Sequence, residues 1–176
     1  KAALCAACDI GTTTVVCHLI DAQSGELLAT QSAPNAQKTY GADVVSRIER
    51  AGAGELDALH KAITGQIGRM LENLCAATQQ KGEIERLTVA GNTVMCHLFA
   101  GISPEAIGVA PFVPEELFGK AYKGSDIGIA GCRSVEILPC VAGYVGSDIT
   151  ADVLAAVPEE SDGQWLLLDI GTNGEM

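Results

Sequence analysis

The sequence predicts an α/β domain built on a mixed five-stranded sheet flanked by helices. Three observations predict it. Three β-rich runs open the chain, helical and strand patterns then alternate, and the acidic, glycine-bearing tip of the first strand recurs after the last. Such an order describes antiparallel strands continued by parallel ones, with helices covering the sheet.

Leu4 to Ile10 is a short apolar run that suits a buried strand. Thr13 to Asp21 is β-branched and apolar, and Gln23-Ser24-Gly25 breaks it before a third strand from Glu26 to Ala33. Consecutive hairpins join these three. Asn35 to Tyr40 reads as a polar loop and Gly41 to Arg50 as a short helix. The clearest helix runs from about Glu55 to Gln80, where Leu56, Leu59, Ile63, Ile67, Met70, Leu71 and Leu74 recur at three and four residues and make one apolar stripe. Gly65 and Gly68 weaken that helix by about 1 kcal/mol each relative to Ala, and are expected to mark tight packing on the sheet. Gly82 ends it. Arg86 to Ala90 is a fourth strand, and Gly91-Asn92-Thr93 turns into a helix through Phe99. Ser103-Pro104-Glu105 has the composition of a helix start. Gly108 to Gly131 is a loop-like stretch rich in Gly and Pro, part of an insertion over about 101–134. Val135 to Leu138 is a fifth strand, Val141 to Val157 a long helix, Pro158 to Gly163 a polar linker and Trp165 to Asp169 a further strand. The whole is a ribonuclease-H-like plan.

Hydrophobic residues make up 48% of the 176 positions and aromatic residues only 4%, so the core is built of Leu, Ile, Val and Ala. A formal net charge of −11 excludes nucleic acid and anionic membrane as main partners, since both need a basic surface. It does not exclude a nucleotide, because backbone N–H groups and a cation can hold phosphate without Lys or Arg. The seven cysteines cannot all pair within one chain. They read as small apolar residues in a reducing cytosol, and Cys5-Ala-Ala-Cys8 as strand, not as a metal site. Nothing has the length of a transmembrane helix or the layout of a signal peptide, and a cytoplasmic location is expected.

The most informative feature is the echo. Asp9-Ile10-Gly11-Thr12-Thr13-Thr14 follows one apolar run, and Asp169-Ile170-Gly171-Thr172-Asn173-Gly174 follows another. A carboxylate at a strand tip can hold Mg²⁺, directly or through waters. The glycine admits close phosphate approach, and Thr hydroxyls with the amides after them donate to phosphate oxygens. Two such loops facing across a cleft would grip one polyphosphate–Mg²⁺ unit, and catalysis would come from positioning and charge stabilisation. Asp9 and Asp169 are therefore the candidate catalytic and metal-binding carboxylates. Gly11, Thr12, Thr13, Gly171, Thr172 and Asn173 are the candidate phosphate contacts. No Walker sequence and no Gly-x-Gly-x-x-Gly is present.

Other candidates carry two readings each. Gly91 and Asn92 could supply polar groups to the cleft, or Gly91-Asn92-Thr93 could be a plain helix cap. Asp148 could orient water or Mg²⁺ as a third catalytic carboxylate, or only stabilise a helix N-terminus. Tyr40 to Asp43 could reach a ligand or only start a helix. His97 reads as structural, and His18 and His60 as inert.

At these residues the chain resembles the acetate and sugar kinase/heat-shock chaperone/actin (ASKHA) superfamily. Within it the chain resembles the ATP-dependent reductive activators of corrinoid proteins. The resemblance rests on Asp9-Ile-Gly-Thr-Thr-Thr14, Tyr40-Gly-Ala-Asp-Val-Val-Ser-Arg-Ile48 and Gly91-Asn-Thr-Val-Met95, and continues through Gly108-Val-Ala-Pro-Phe-Val-Pro114, Leu138-Pro-Cys-Val-Ala-Gly-Tyr-Val-Gly146 and Asp169-Ile-Gly-Thr-Asn-Gly-Glu175. It implies an actin-like ATPase fold, with ATP and Mg²⁺ bound between Asp9, Thr12 and Thr13 on one side and Asp169, Gly171 and Thr172 on the other, and Gly143 to Asp148 as a hinge helix. It further implies an activity: returning a Co(II) corrinoid protein, or a corrinoid-dependent methyltransferase, to Co(I), with ATP coupled to electron transfer from a [2Fe-2S] domain outside this chain. Two departures stand out. No cluster-binding cysteine pattern is present, and Ser147 stands where Ala is expected.

On this reading, residues 1–157 form the first lobe, and 158–176 the linker and first strand of a truncated second lobe. The piece alone is expected to bind ATP weakly without useful turnover, and the full-length protein to be an ATPase. An exposed strand edge at Trp165 to Asp169 would offer a route to a homodimer. The competing readings are a small-molecule kinase of the same fold and a non-catalytic interaction module.

Overall fold

The computed structural model describes residues 3–156, 164, 166–170 and 174–175. Three antiparallel strands open it: β1 (Leu4–Ile10), β2 (Thr14–Asp21) and β3 (Leu27–Pro34). β4 (Ile84–Gly91) then runs parallel to β1. The strand β5 (Lys120–Lys123) pairs antiparallel with β6 (Cys132–Ile137), and β6 lies parallel to β4. The sheet order is β3-β2-β1-β4-β6-β5, the mixed sheet expected, with six strands in place of five. The extra strand is β5, inside the stretch read as loop. Four residues flanked by Gly119 and Gly124 are too short and too polar to announce a strand, and the register on β6 creates it.

Among the described residues four α-helices cover the sheet: α1 (Val44–Arg50), α2 (Leu56–Ala77), α3 (Thr93–Ala100) and α4 (Ser147–Ala156). Asp43 caps α1, its side chain accepting from Ser46 N while Ser46 Oγ accepts from Asp43 N, so this carboxylate starts a helix. A π-type turn (Ala51–Glu55) with Gly54 at φ 94° separates α1 from α2. The apolar stripe of α2 buries Leu59, Ile63, Ile67, Met70, Leu71 and Leu74 against β2, β3 and α3. Each of these side chains contributes roughly 1.5–3 kcal/mol relative to exposure. Gly65 and Gly68 do not mark tight packing: a Cβ on Gly68 would meet nothing within 4 Å, and one on Gly65 only the Arg69 side chain.

Three other expectations change. The helix expected from Val141 begins only at Ser147, because Val141 to Val145 fold into a tight turn closed by an Ala142–Val145 bridge. Ser103-Pro104-Glu105 starts no more than a three-residue 3-10 helix (Glu105–Ile107). Finally, of the strand expected over 165–169 only Asp169 is in a strand among the described residues, in β7 (Asp169–Ile170), which pairs with β8 (Gly174–Glu175). Trp165 and the linker Pro158 to Gly163 lie outside the described residues. No helix among the described residues is long and apolar enough to cross a membrane.

Candidate functional site

β1, β4 and β6 run parallel, so the segments that leave them emerge along one edge. Ile10 pairs with Gly91 in the β1–β4 ladder, which sets the Gly11–Thr14 loop beside Asn92 at the start of α3. The segment after β6 returns to the same place, since Leu138 N donates to Val89 O and Thr93 Oγ1 to Ala142 O. The carboxyl edge of parallel strands is where α/β sheets bind ligands.

The Gly11–Thr14 loop is held from behind by its carbonyls. Gly11 N donates to Thr14 O at 3.0 Å, Gly11 O accepts from Asn35 Nδ2 at 2.8 Å, and Thr13 O accepts from Asn35 N at 2.8 Å. Thr12 O accepts from Arg47 Nη2 at 2.7 Å, and Thr12 Oγ1 accepts from Asn92 Nδ2 at 3.1 Å. Thr12 is consequently buried while Thr13 is exposed. Asn92 serves both of its readings at once: it caps α3, accepting from Met95 N at 3.0 Å, and its amide braces Thr12.

Gly91 and Gly146 mark a close backbone crossing at this edge. A Cβ on Gly146 would lie 2.4 Å from Asn92 Cα and 2.6 Å from Gly91 O, and one on Gly91 would lie 2.7 Å from Ile10 O. Ser147 locks this crossing. Its Oγ accepts from Gly91 N at 3.1 Å, donates to Gly91 O at 3.0 Å and lies 3.3 Å from Cys96 Sγ. The departure from Ala at this position thus carries three polar contacts in a fully buried spot. Ser147→Ala should lower unfolding stability by about 1–2 kcal/mol, read as a shifted urea midpoint at unchanged slope. An unchanged midpoint would show these contacts to be idle.

Three further carboxylates lie within electrostatic reach of Asp9 at this edge. Asp9 keeps contact with solvent, yet partial desolvation lifts its carboxyl above the ordinary carboxylate value, and Asp148, Asp152 and Asp169 raise it further. His18 opposes them. Asp148, at the first turn of α4, is also raised by burial, with Asp169 and Asp152 adding to it against the Ile149 N–H that bonds its Oδ1 at 3.0 Å. Asp9, Asp148 and Asp169 therefore come within electrostatic reach of one another. Among the described residues no three acidic, His or Cys side chains converge tightly enough to cage a cation. The set fits Mg²⁺ that keeps several of its waters and binds through one or two carboxylates plus phosphates.

The structure thus brings together Asp9, Gly11, Thr12, Thr13, Gly91, Asn92, Asp148 and Asp169. Gly171, Thr172 and Asn173 lie outside the described residues. Sequence reasoning missed Asn35, Arg47 and Asp152. Only Asp152 had a signal, lying four residues after Asp148 on one helix face. Among the described residues the histidines hydrogen-bond elsewhere, and His18 acts on Asp9 only electrostatically. His97 is buried, bonded at Nδ1 to Thr93 O (2.7 Å) and at Nε2 to Glu116 N (3.3 Å). His18 and His60 bond Thr30 Oγ1 and Phe99 O. All seven cysteines are free thiols, with only Cys5 and Cys75 less than buried.

Known proteins share this fold. Residues 4–159 match the RACo middle region family. The corrinoid activation enzyme RamQ of Eubacterium limosum is 37% identical over 173 residues, which cover 96% of this chain and 29% of RamQ. A solved reductive activator for a corrinoid, iron-sulfur protein superposes with a TM-score of 0.93 at 38% identity, covering 99% of this chain and 28% of that one. A candidate 2-dehydro-3-deoxygalactonokinase from Sinorhizobium meliloti shares the fold at a TM-score of 0.53 and 18% identity, over 97% of this chain and 47% of its own. The chain spans under a third of the length of the first two. With that match running from the first strand of the sheet past the end of α4, the chain belongs to the RACo middle region family.

Proposed function

We propose that this chain forms one wall of a nucleotide cleft in a protein that reactivates corrinoid proteins. The observation that carries the reading is the gathering of Asp9, Asp148 and Asp169 in front of a braced, glycine-turned loop. The family's named relatives, a corrinoid activation enzyme and a reductive activator, point the same way. The ligand is ATP with Mg²⁺. Gly11, Thr12, Thr13, Gly91 and Asn92 contact phosphate from this wall, and Gly171, Thr172 and Asn173, near the end of the same chain, begin the opposite one. Asp9 and Asp169 orient the waters around the cation, and Asp148 directs the attacking water. Bound Mg·ATP supplies the free energy that makes an uphill electron transfer run. The electron comes from a [2Fe-2S] domain outside this chain, and the acceptor is the Co(II) centre of a corrinoid protein or corrinoid-dependent methyltransferase. The setting is cytoplasmic, with two copies joined as a homodimer.

The test uses the whole protein with its corrinoid partner and a chemical reductant, following Co(II) and Co(I) by their visible absorption. Co(I) should accumulate only when ATP and Mg²⁺ are both present, and ATP should be consumed as it does. Equal Co(I) without ATP, or none with it, would overturn the reading.

A further inference from the structure

Behind the Gly11–Thr14 loop the core holds a charge with no ion-pair partner among the described residues. Arg47 is 0% exposed, and its guanidinium is in no ion pair among the described residues. Its Nη2 donates to Thr12 O at 2.7 Å, its Nε to Gly41 O at 3.0 Å and its Nη1 to Met95 Sδ at 3.1 Å. Asp43 favours the cation from a distance, but its Oδ1 is committed to Ser46 N. Burial brings the group down only to about 10, so it stays protonated at neutral pH. A buried, unpaired cation is costly, and an apolar side chain of similar volume often serves a core as well or better. Packing alone therefore does not account for Arg47.

What it touches does. A trans peptide points its C=O and N–H in opposite directions. With Gly11 O drawn in by Asn35 and Thr12 O by Arg47, the N–H groups of Thr12 and Thr13 are directed away from those two side chains. Asp9, two residues before Gly11, lies within electrostatic reach of Asp148, Asp152 and Asp169, and the field of these carboxylates repels phosphate. Oriented amides backed by a cation provide the opposite field.

We propose that Arg47 is the positioning residue of this phosphate loop: it draws the Thr12 carbonyl inward and charges the loop from behind, so that an anionic phosphate chain can settle beside the carboxylate cluster. The proposal rests on the nucleotide reading and adds to it a residue that never touches the ligand.

The test compares wild type, Arg47→Met and Arg47→Lys in the whole protein, by calorimetric binding of Mg·ATP and of adenosine and by steady-state ATP turnover. Arg47→Met should weaken Mg·ATP at least roughly tenfold, the worth of a hydrogen bond to a charged group, with adenosine affinity unmoved. KM should rise with it while kcat changes far less. Arg47→Lys keeps the charge without the fork and should fall between. It carries the comparison alone if Arg47→Met does not fold, as judged by circular dichroism and a thermal transition. Unchanged Mg·ATP affinity in a folded variant, or equal loss for ATP and adenosine, would overturn the role while the nucleotide reading stands. Absence of Mg·ATP binding by wild type would sink both.

Discussion

Asp9→Asn should cut ATP turnover by at least about a hundredfold, the scale of losing one preorganised electrostatic contact at a reacting centre, and should at the same time make the nucleotide-free protein more stable at pH 7. The two effects have one cause. Asp9 sits where partial desolvation and three neighbouring carboxylates disfavour its charge, so the field that prepares the site for a divalent cation is a repulsion while no cation is there. Asparagine keeps the shape and removes the repulsion, and with it the carboxylate proposed to hold the hydrated Mg²⁺.

The pH dependence has a definite sign. A carboxyl raised on folding binds its proton more tightly in the native state. Its contribution to stability is full below the unfolded value and is lost as pH rises through the folded one. Asp148 is raised in the same way and acts in the same direction. The stability gap between Asp9→Asn and wild type should therefore be widest at neutral pH and close on acidification toward the ordinary carboxylate value. Paired thermal melts with EDTA and with Mg²⁺ measure it. Millimolar Mg²⁺ with nucleotide should raise the melting temperature of wild type and leave that of the variant in place. A variant that melts below wild type at pH 7 without metal would contradict the crowding of charge around Asp9.

Much of the fold was legible because it depends on local pattern. The three-and-four spacing from Leu56 to Leu74 and the β-branched run from Thr14 to Asp21 are properties of short windows. Asp9 and Asp169 were legible as a pair because the same four residues occur twice. What braces the site was not legible. Arg47 and Asn35 carry side chains that nearly always face solvent, and both are fully buried only because α1 and the end of β3 pass behind the Gly11 loop. That crossing is a property of the path of the chain and leaves no trace in spacing. The start of α4 was misread for a related reason. Val141 to Val145 look apolar enough for a helix, but the Ala142–Val145 bridge and the crossing at Gly146 hold the backbone in a turn.

That crossing is where a single methyl group should damage fold and site together. In Gly146→Ala the new Cβ would fall 2.4 Å from Asn92 Cα, 2.6 Å from Gly91 O and 2.7 Å from Asp148 Oδ1. Two of these atoms belong to backbone, which cannot swing aside as a flexible side chain can. Relief requires the start of α4 to retreat from the end of β4, which stretches the Ser147 bonds to Gly91 N and O and displaces Asp148 from Asp9. Overpacking of this kind costs about 1–3 kcal/mol, and the lost Ser147 contacts add about 1 kcal/mol or more. We expect the urea midpoint to fall by more than in Ser147→Ala, and ATP turnover to fall with it even in the fraction that remains folded, because the carboxylates no longer converge. Gly68→Ala is the matched control: its Cβ meets nothing within 4 Å, and alanine favours α2 by up to about 1 kcal/mol. Should Gly146→Ala keep both stability and turnover, the β4–α4 crossing would be looser than these distances require, and Asp148 would owe its place to something else.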